Sequence, residues 1–201
     1  MEPITTAAAL VSIATVARPV VKKGVDLIES LLGEPCEIAG SMLADKLYMW
    51  QWMNRVKWAA RAKEIMDKEG VATRVVPPGF ILPLLEAAGN VDEPSVQEIL
   101  ARLLASGTAD DRNQHPAFAD IARRFSPADV RMLEQFARLP QDGTIEFDRT
   151  APSEELRAAE RLHGFGLVDL VRFTSRPDVL VGDLNGLGAQ FAAVGFAQTQ
   201  P

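Results

Sequence analysis

Prolines and glycines cut this chain into pieces of helical length, and that punctuation constrains the fold more than any motif does. Proline holds φ at about −65° and lacks an N–H, so it opens a helix well and continues one badly. Between these marks, apolar residues return every three or four positions, the period of one helix face. Val20 to Leu32 ends at Gly33-Glu34-Pro35, and Pro35 suits the first turn of a long helix running to Glu69, with Gly70 as its stop. In that helix Leu43, Leu47, Trp50 and Trp58 fall near one face, with Met42, Met49, Met53 and Val56 beside it. Lys57, Arg61, Lys63, Glu64 and Lys68 form a charged side.

The same logic continues downstream. Val71 to Val76 reads as an extended connector closed by Pro77-Pro78. Pro78 to Ala88 carries Phe80, Ile81, Leu84 and Leu85; Pro83 fits only an early turn, so the start is expected nearer Gly79. Pro94 to Ser106 places Val96, Ile99, Leu100, Leu103 and Leu104 on one face, and Gly107 to Gln114 reads as a polar loop. Pro116 to Phe125 is a further helix. Ser126-Pro127-Ala128-Asp129 is an N-cap followed by proline at the first helical position, opening a helix to about Leu139. A turn and short strand to Phe147, a helix from Ser153 to Leu162, a strand over Gly166 to Phe173, its hairpin partner over Asp178 to Gly182 and a small helix over Leu184 to Gly195 complete the reading.

The expected fold is therefore mainly α: a multi-helix N-terminal part followed by a small winged-helix-like α+β domain. The expected boundaries are an N-terminal helical segment over 1–32, a helical domain over 33–125 and the winged-helix-like domain over 126–201.

Composition narrows the chemistry. A formal net charge of −6 opposes broad binding to nucleic acid or to anionic membranes, both of which call for a positive field. One cysteine, Cys36, permits no internal disulfide, which fits a cytoplasmic location. Its neighbours Glu34 and Glu37 oppose activation of the thiol. One cysteine and two histidines do not make a four-ligand zinc site. No metal and no cofactor is expected.

The run Ile4 to Val21 is only mildly apolar and ends in Arg18-Pro19, short of the roughly 20 strongly apolar residues a membrane span needs. Residues 4–32 are instead expected to pack on the domain, to meet a partner, or to touch a membrane surface with help from Lys22 and Lys23.

Candidate reactive groups are few. Asp110, Asp111 and His115 share a loop and are of metal-ligand type, but local turn bonds account for them more simply. His163, near a helix C-terminus, suits a capping role. Gly182, Gly186 and Gly188 have neither dinucleotide nor P-loop spacing and are read as serving turns and close packing. With no nucleophile site or acid–base pair, the chain reads as a non-enzyme.

Contact surfaces are the remaining tool. Trp50, Trp52, Trp58 and Tyr48 concentrate in one helix. Two residues turn a helix by roughly 200°, so Trp50 and Trp52 face different ways and one is expected at a second packing surface. Arg55, Lys57, Arg61 and Lys63 form the best basic stripe. Trp50, Trp52, Arg55, Lys57 and Arg61 are thus the candidate partner-binding residues, for a protein partner or a sister chain, with a solvated face as the plainer account.

A serial order of short features adds a setting. It runs from Leu32-Gly33-Glu34-Pro35 through the long helix with Trp50, Arg55 and Lys57 to Val76-Pro77-Pro78 and Leu82-Pro83-Leu84-Leu85-Glu86-Ala87-Ala88. Then come Leu100-Ala101-Arg102-Leu103-Leu104-Ala105, His115-Pro116-Ala117-Phe118 and Phe125-Ser126-Pro127-Ala128-Asp129. Over roughly residues 30–190 this order resembles the abortive-infection alpha (Abi-alpha) family of bacteria. The resemblance implies anti-phage defence and supplies no catalytic residues. The turn Gly89-Asn90-Val91-Asp92-Glu93 is less acidic than the family pattern, so no role is carried over to it.

Two alternatives stay open: a membrane-acting toxin using the N-terminal helix, and a winged-helix DNA-binding regulator. In the latter, Ser153 to His163 would enter the groove, but Glu154, Glu155 and Glu160 stand against Arg157 and Arg161, which weakens docking on phosphate.

Overall fold

A computed structural model describes Lys23, Asp26, Leu27, Ser30 and residues 46–140, 143–151, 153–173 and 175–196. The expectations for Ile4 to Val21, for Pro35 and for Cys36 lie outside the described residues. The elements follow the punctuation closely. Helix α1 spans Lys46–Glu69, α2 Pro78–Asn90, α3 Pro94–Ala109, a 3-10 turn Asp111–Asn113 and α4 Ala117–Ala122. The second part runs α5 Pro127–Ala137, β1 Ile145–Asp148, α6 Glu154–Gly164, β2 Val168–Phe173, β3 Arg176–Leu184 and α7 Gly186–Gly195. The protein is thus mostly helical, with a small three-stranded antiparallel sheet in its C-terminal region.

Three differences from the sequence reading have clear causes. Helix α2 starts at Pro78 itself, where a start nearer Gly79 is expected, and runs through Pro83. The proline leaves the Gly79 carbonyl without its usual donor, but Gly79 is exposed to water, and burial of Phe80, Ile81, Leu84, Ala87 and Ala88 outweighs the loss. Helix α3 continues past Ser106 to Ala109, taking Gly107 and Thr108 into its buried face. Thr108 Oγ1 donates to the Leu104 carbonyl at 2.8 Å, which satisfies a hydroxyl that is otherwise shut off from water. Finally, Trp50 does not share a face with Trp58: Trp58 is 1% exposed and Trp50 39%. The buried face of α1 consists of Val56, Trp58, Ala59, Ala62, Ile65 and Met66.

Helix α3 is the hub, touching α1, α2, α4, α5 and α7. It is suited to that place because its apolar, buried face is wide, running from Val96 to Thr108 beside a narrow polar strip, with Ala101 and Ala105 small enough to admit neighbouring backbones. The core is continuous from Leu27 and Trp58 to Phe191 and Val194. Phe191 of α7 ties the parts together, with ring centres 4.9 Å from Phe118 and 5.5 Å from Phe125.

In the sheet, β3 lies between β1 and β2 and is antiparallel to both. Gly182 pairs with Ile145 on one side and Leu170 on the other, and a Cβ there would sit 3.1 Å from the Phe136 ring. Gly188 is tighter still, since a Cβ would lie 1.8 Å from the Leu167 carbonyl oxygen, so only glycine lets α7 dock on the start of β2.

Helix α5 opens on a full capping box. Ser126 Oγ accepts from the Asp129 N–H at 3.3 Å, and Asp129 Oδ2 accepts from the Ser126 N–H at 2.7 Å. The Asp129 side chain is wholly buried, and Arg161 of α6 donates to its second oxygen at 2.8 Å. One carboxylate therefore caps α5 and ties it to α6.

Candidate functional site: the outer face of α1 and its cleft against α3

Residues of α1 divide by what their polar ends reach. Toward α2, Arg55 Nε donates to the Leu85 carbonyl at 3.1 Å, Asn54 Nδ2 to the Gly89 carbonyl at 3.4 Å and Gln51 Nε2 to Asn90 Oδ1 at 2.9 Å. The last carbonyls of a helix lack intrahelical donors and carry partial negative charge, so Asn54 caps the C-terminus of α2 from outside, while Arg55 and Gln51 tie α1 to the same end. Gly89 makes room for this: a Cβ would lie 2.7 Å from Arg55 Nε. Arg55 is therefore a clamp between helices rather than part of an open basic surface.

Toward α3, Arg61 grips Glu98 with two hydrogen bonds, at 2.6 and 3.0 Å, and also reaches Glu64 at 3.2 Å. Arg102 donates to the same Glu98 from its own helix at 3.0 Å. Partial burial by itself would raise the Glu98 carboxyl, but hydrogen bonds and charge from Arg61 and Arg102 outweigh it and hold the group below its ordinary 4.5. The Glu98 bond in turn holds the Arg61 proton more firmly than usual. Lys63 pairs with Asp67. Of the expected basic stripe, Lys57 is exposed and, among the described residues, makes no hydrogen bond or ion pair. Trp52 is half-buried, and Trp50 is the exposed indole.

Between α1 and α3 lies a half-open cleft of about 380 Å³. Asn54, Lys57, Trp58 and Arg61 line it from α1, and Gln97 and Glu98 from α3. Asp92 and Pro94 close one end. Asp92 is exposed and, among the described residues, unpaired. Two buried polar atoms of the lining side chains have no hydrogen-bond partner: Trp58 Nε1, a donor, and Gln97 Oε1, an acceptor. The other end of the Gln97 amide is fully used, donating to the Ala88 carbonyl at 2.8 Å and to that of Val91. Sequence reasoning missed Asp92, Gln97 and Glu98. The spacing of Glu98 and Arg102 was available as a helical ion pair, but the link to Arg61 crosses 37 positions and leaves no local signal.

The other candidates are engaged elsewhere. Asp110 caps the 3-10 turn by accepting from the Arg112 N–H at 3.0 Å and pairs with its guanidinium. Asp111 pairs with Arg74 at 2.6 Å, and His115 stacks on Phe118 with centroids 4.6 Å apart. Among the described residues no three groups of metal-ligand type come together. His163 Nδ1 lies 2.8 Å from the Val168 carbonyl, joining α6 to β2. Among the described residues no helix is long and apolar enough to cross a membrane.

The family model described as Abortive infection alpha matches residues 53–189. The chain belongs to the Abortive infection alpha family. The matched span takes in the whole cleft, from Asn54 to Glu98, and every element from α2 to the start of α7. In this Abi-alpha protein Trp50 and Trp52 lie just before the matched span. No curated protein and no solved structure matches the chain. The family supplies an abortive-infection setting, while the chemistry rests on the residues described above.

Proposed function

We propose that this protein is a non-enzymatic component of bacterial anti-phage defence that works in the cytoplasm by protein contact. The observation that carries this reading is the outer face of α1. An indole at 39% exposure, Trp50, stands on the surface of α1 in a protein that buries Trp58 almost completely. Exposed tryptophan is the residue type most enriched at interface hot spots, because it presents a large apolar area at low entropic cost. Arg55 and Arg61 hold the helix that displays it, the one on α2 and the other on α3.

We read the C-terminal part, with its order of helix, strand, helix and hairpin, as winged-helix-like and as protein-binding too. Arg161 is spent on buried Asp129, and exposed Glu154, Glu155 and Glu160 line the helix that would face phosphate.

A photo-crosslinking residue placed at position 50 tests the reading in infected cells. The expected result is a discrete crosslink to one protein, or to a second copy of this chain, together with loss of protection in Trp50→Ala at unchanged melting temperature. Full protection by Trp50→Ala, with no crosslink, would overturn it.

A further inference from the structure

We infer that the α1–α3 cleft is a binding site for a short peptide in extended form. Two observations point to this ligand independently. The first is the pair of orphan atoms: Trp58 Nε1 offers a proton and Gln97 Oε1 a lone pair, both withdrawn from water and unanswered within the protein. Leaving such groups unpaired is unfavourable, and native chains retain few of them. A peptide unit carries the complement, a carbonyl that accepts from the indole and an N–H that donates to the amide. The second is the charge at the opening. Lys57 and Asp92 are the cleft's exposed charges without partners among the described residues, whereas Arg61 and Glu98 neutralise each other. A peptide with a free ammonium and a free carboxylate answers both, the ammonium at Asp92 and the carboxylate at Lys57.

The volume, about 380 Å³, lies in the range of small-ligand sites. The exposed wall is largely apolar, so side chains of the peptide are expected to be aliphatic. Because the two orphan atoms are nearly shut off from solvent, engagement requires the indole edge to turn toward the opening and the Gln97 amide to exchange its bonds to the Ala88 and Val91 carbonyls for bonds to the peptide. The inference does not depend on the exposed Trp50 face, so either can fail alone.

The test uses the full chain, labelled with nitrogen-15, titrated with the dipeptide Leu-Ala and observed at the tryptophan indole N–H resonances. The expected result is a downfield shift of the Trp58 indole signal with slower exchange against water, while the Trp50 signal stays in place. Lys57→Ala and Asp92→Asn, both at exposed positions that leave the fold intact, should each weaken Leu-Ala binding about tenfold, the scale of one charged hydrogen bond. N-acetyl-Leu-Ala-amide, which lacks both charges, should bind the unaltered chain more weakly than either variant binds Leu-Ala. No shift at millimolar Leu-Ala overturns the inference. So does a shift that both substitutions leave unchanged, or one produced by uracil and not by the peptide, since uracil offers the same donor and acceptor without the charges.

Discussion

Two buried polar clusters in this protein are built alike and finished differently. In the C-terminal part, Asp129 is wholly buried and every bond it needs is present: Ser126 from its own helix start and Arg161 from the next helix. In the helical part, Trp58 and Gln97 bring a buried donor and a buried acceptor to one cleft, and neither is answered. A completed network can be explained by stability, because removing any member strands the others. An incomplete one cannot, because the protein would be as well served by apolar groups of the same shape. The first cluster therefore reads as architecture and the second as a place where something binds.

Four predictions break or sharpen that contrast. Asp129→Ala removes the box cap and the partner of Arg161, whose half-exposed guanidinium can turn to water, and it should lower unfolding free energy by about 2 kcal/mol in a denaturant titration. A loss below about 1 kcal/mol would show that the finished cluster is dispensable and would remove the contrast. Glu98→Gln should cost about 1 kcal/mol near neutral pH, since it weakens the bidentate Arg61 contact at a site only partly screened by water.

The Glu98 effect also has a pH signature. The carboxyl is held below 4.5 in the folded chain, so its contribution is complete above about that value and fades as pH falls through the folded value. The gap between wild type and Glu98→Gln should accordingly close in acid. A gap that is constant from pH 7 to pH 3 would show that Arg61 and Arg102 do not stabilise the charge.

Trp58→Phe deletes the orphan N–H and leaves only a small cavity, so stability should fall by about 1–2 kcal/mol, against the roughly 3–5 kcal/mol expected for Trp58→Ala. A loss in the phenylalanine variant as large as that in Trp58→Ala exceeds the cavity cost and would mean that the indole N–H already has a partner in solution. Lys57→Ala, at an exposed and unpaired site, should change the melting midpoint least of all, by an amount equivalent to no more than about 0.5 kcal/mol.

Legibility followed the range of the interaction. The start of α5 was readable because Ser126, Pro127 and Asp129 are adjacent and their chemistry is local. The start of α3 was readable for the same reason, since it opens on a proline, and that of α2 to within a residue. The continuation of α3 through Gly107 and Thr108 was not, because glycine reads locally as a stop and only the burial of these residues keeps the helix going. In the candidate site, the presence of an indole-rich helix was visible, but its division was not. Nothing local distinguishes Trp58, in the core, from Trp50, at the surface. Likewise Arg55, Lys57 and Arg61 form one stripe in the sequence, and separate into a clamp, an unpaired cation and an ion pair only when α2 and α3 arrive.

The amino-acid order alone determined a largely helical chain, the places where its helices begin and its membership in the Abortive infection alpha family. Those properties rest on neighbours within a turn or two, where periodicity, capping and backbone restriction act. Tertiary packing decided which cations are used up, which indole is hidden and where two polar atoms were left unanswered. Each of those outcomes depends on groups brought together from distant positions, and hydrogen bonding and desolvation act over ångströms in space, whatever the distance along the chain.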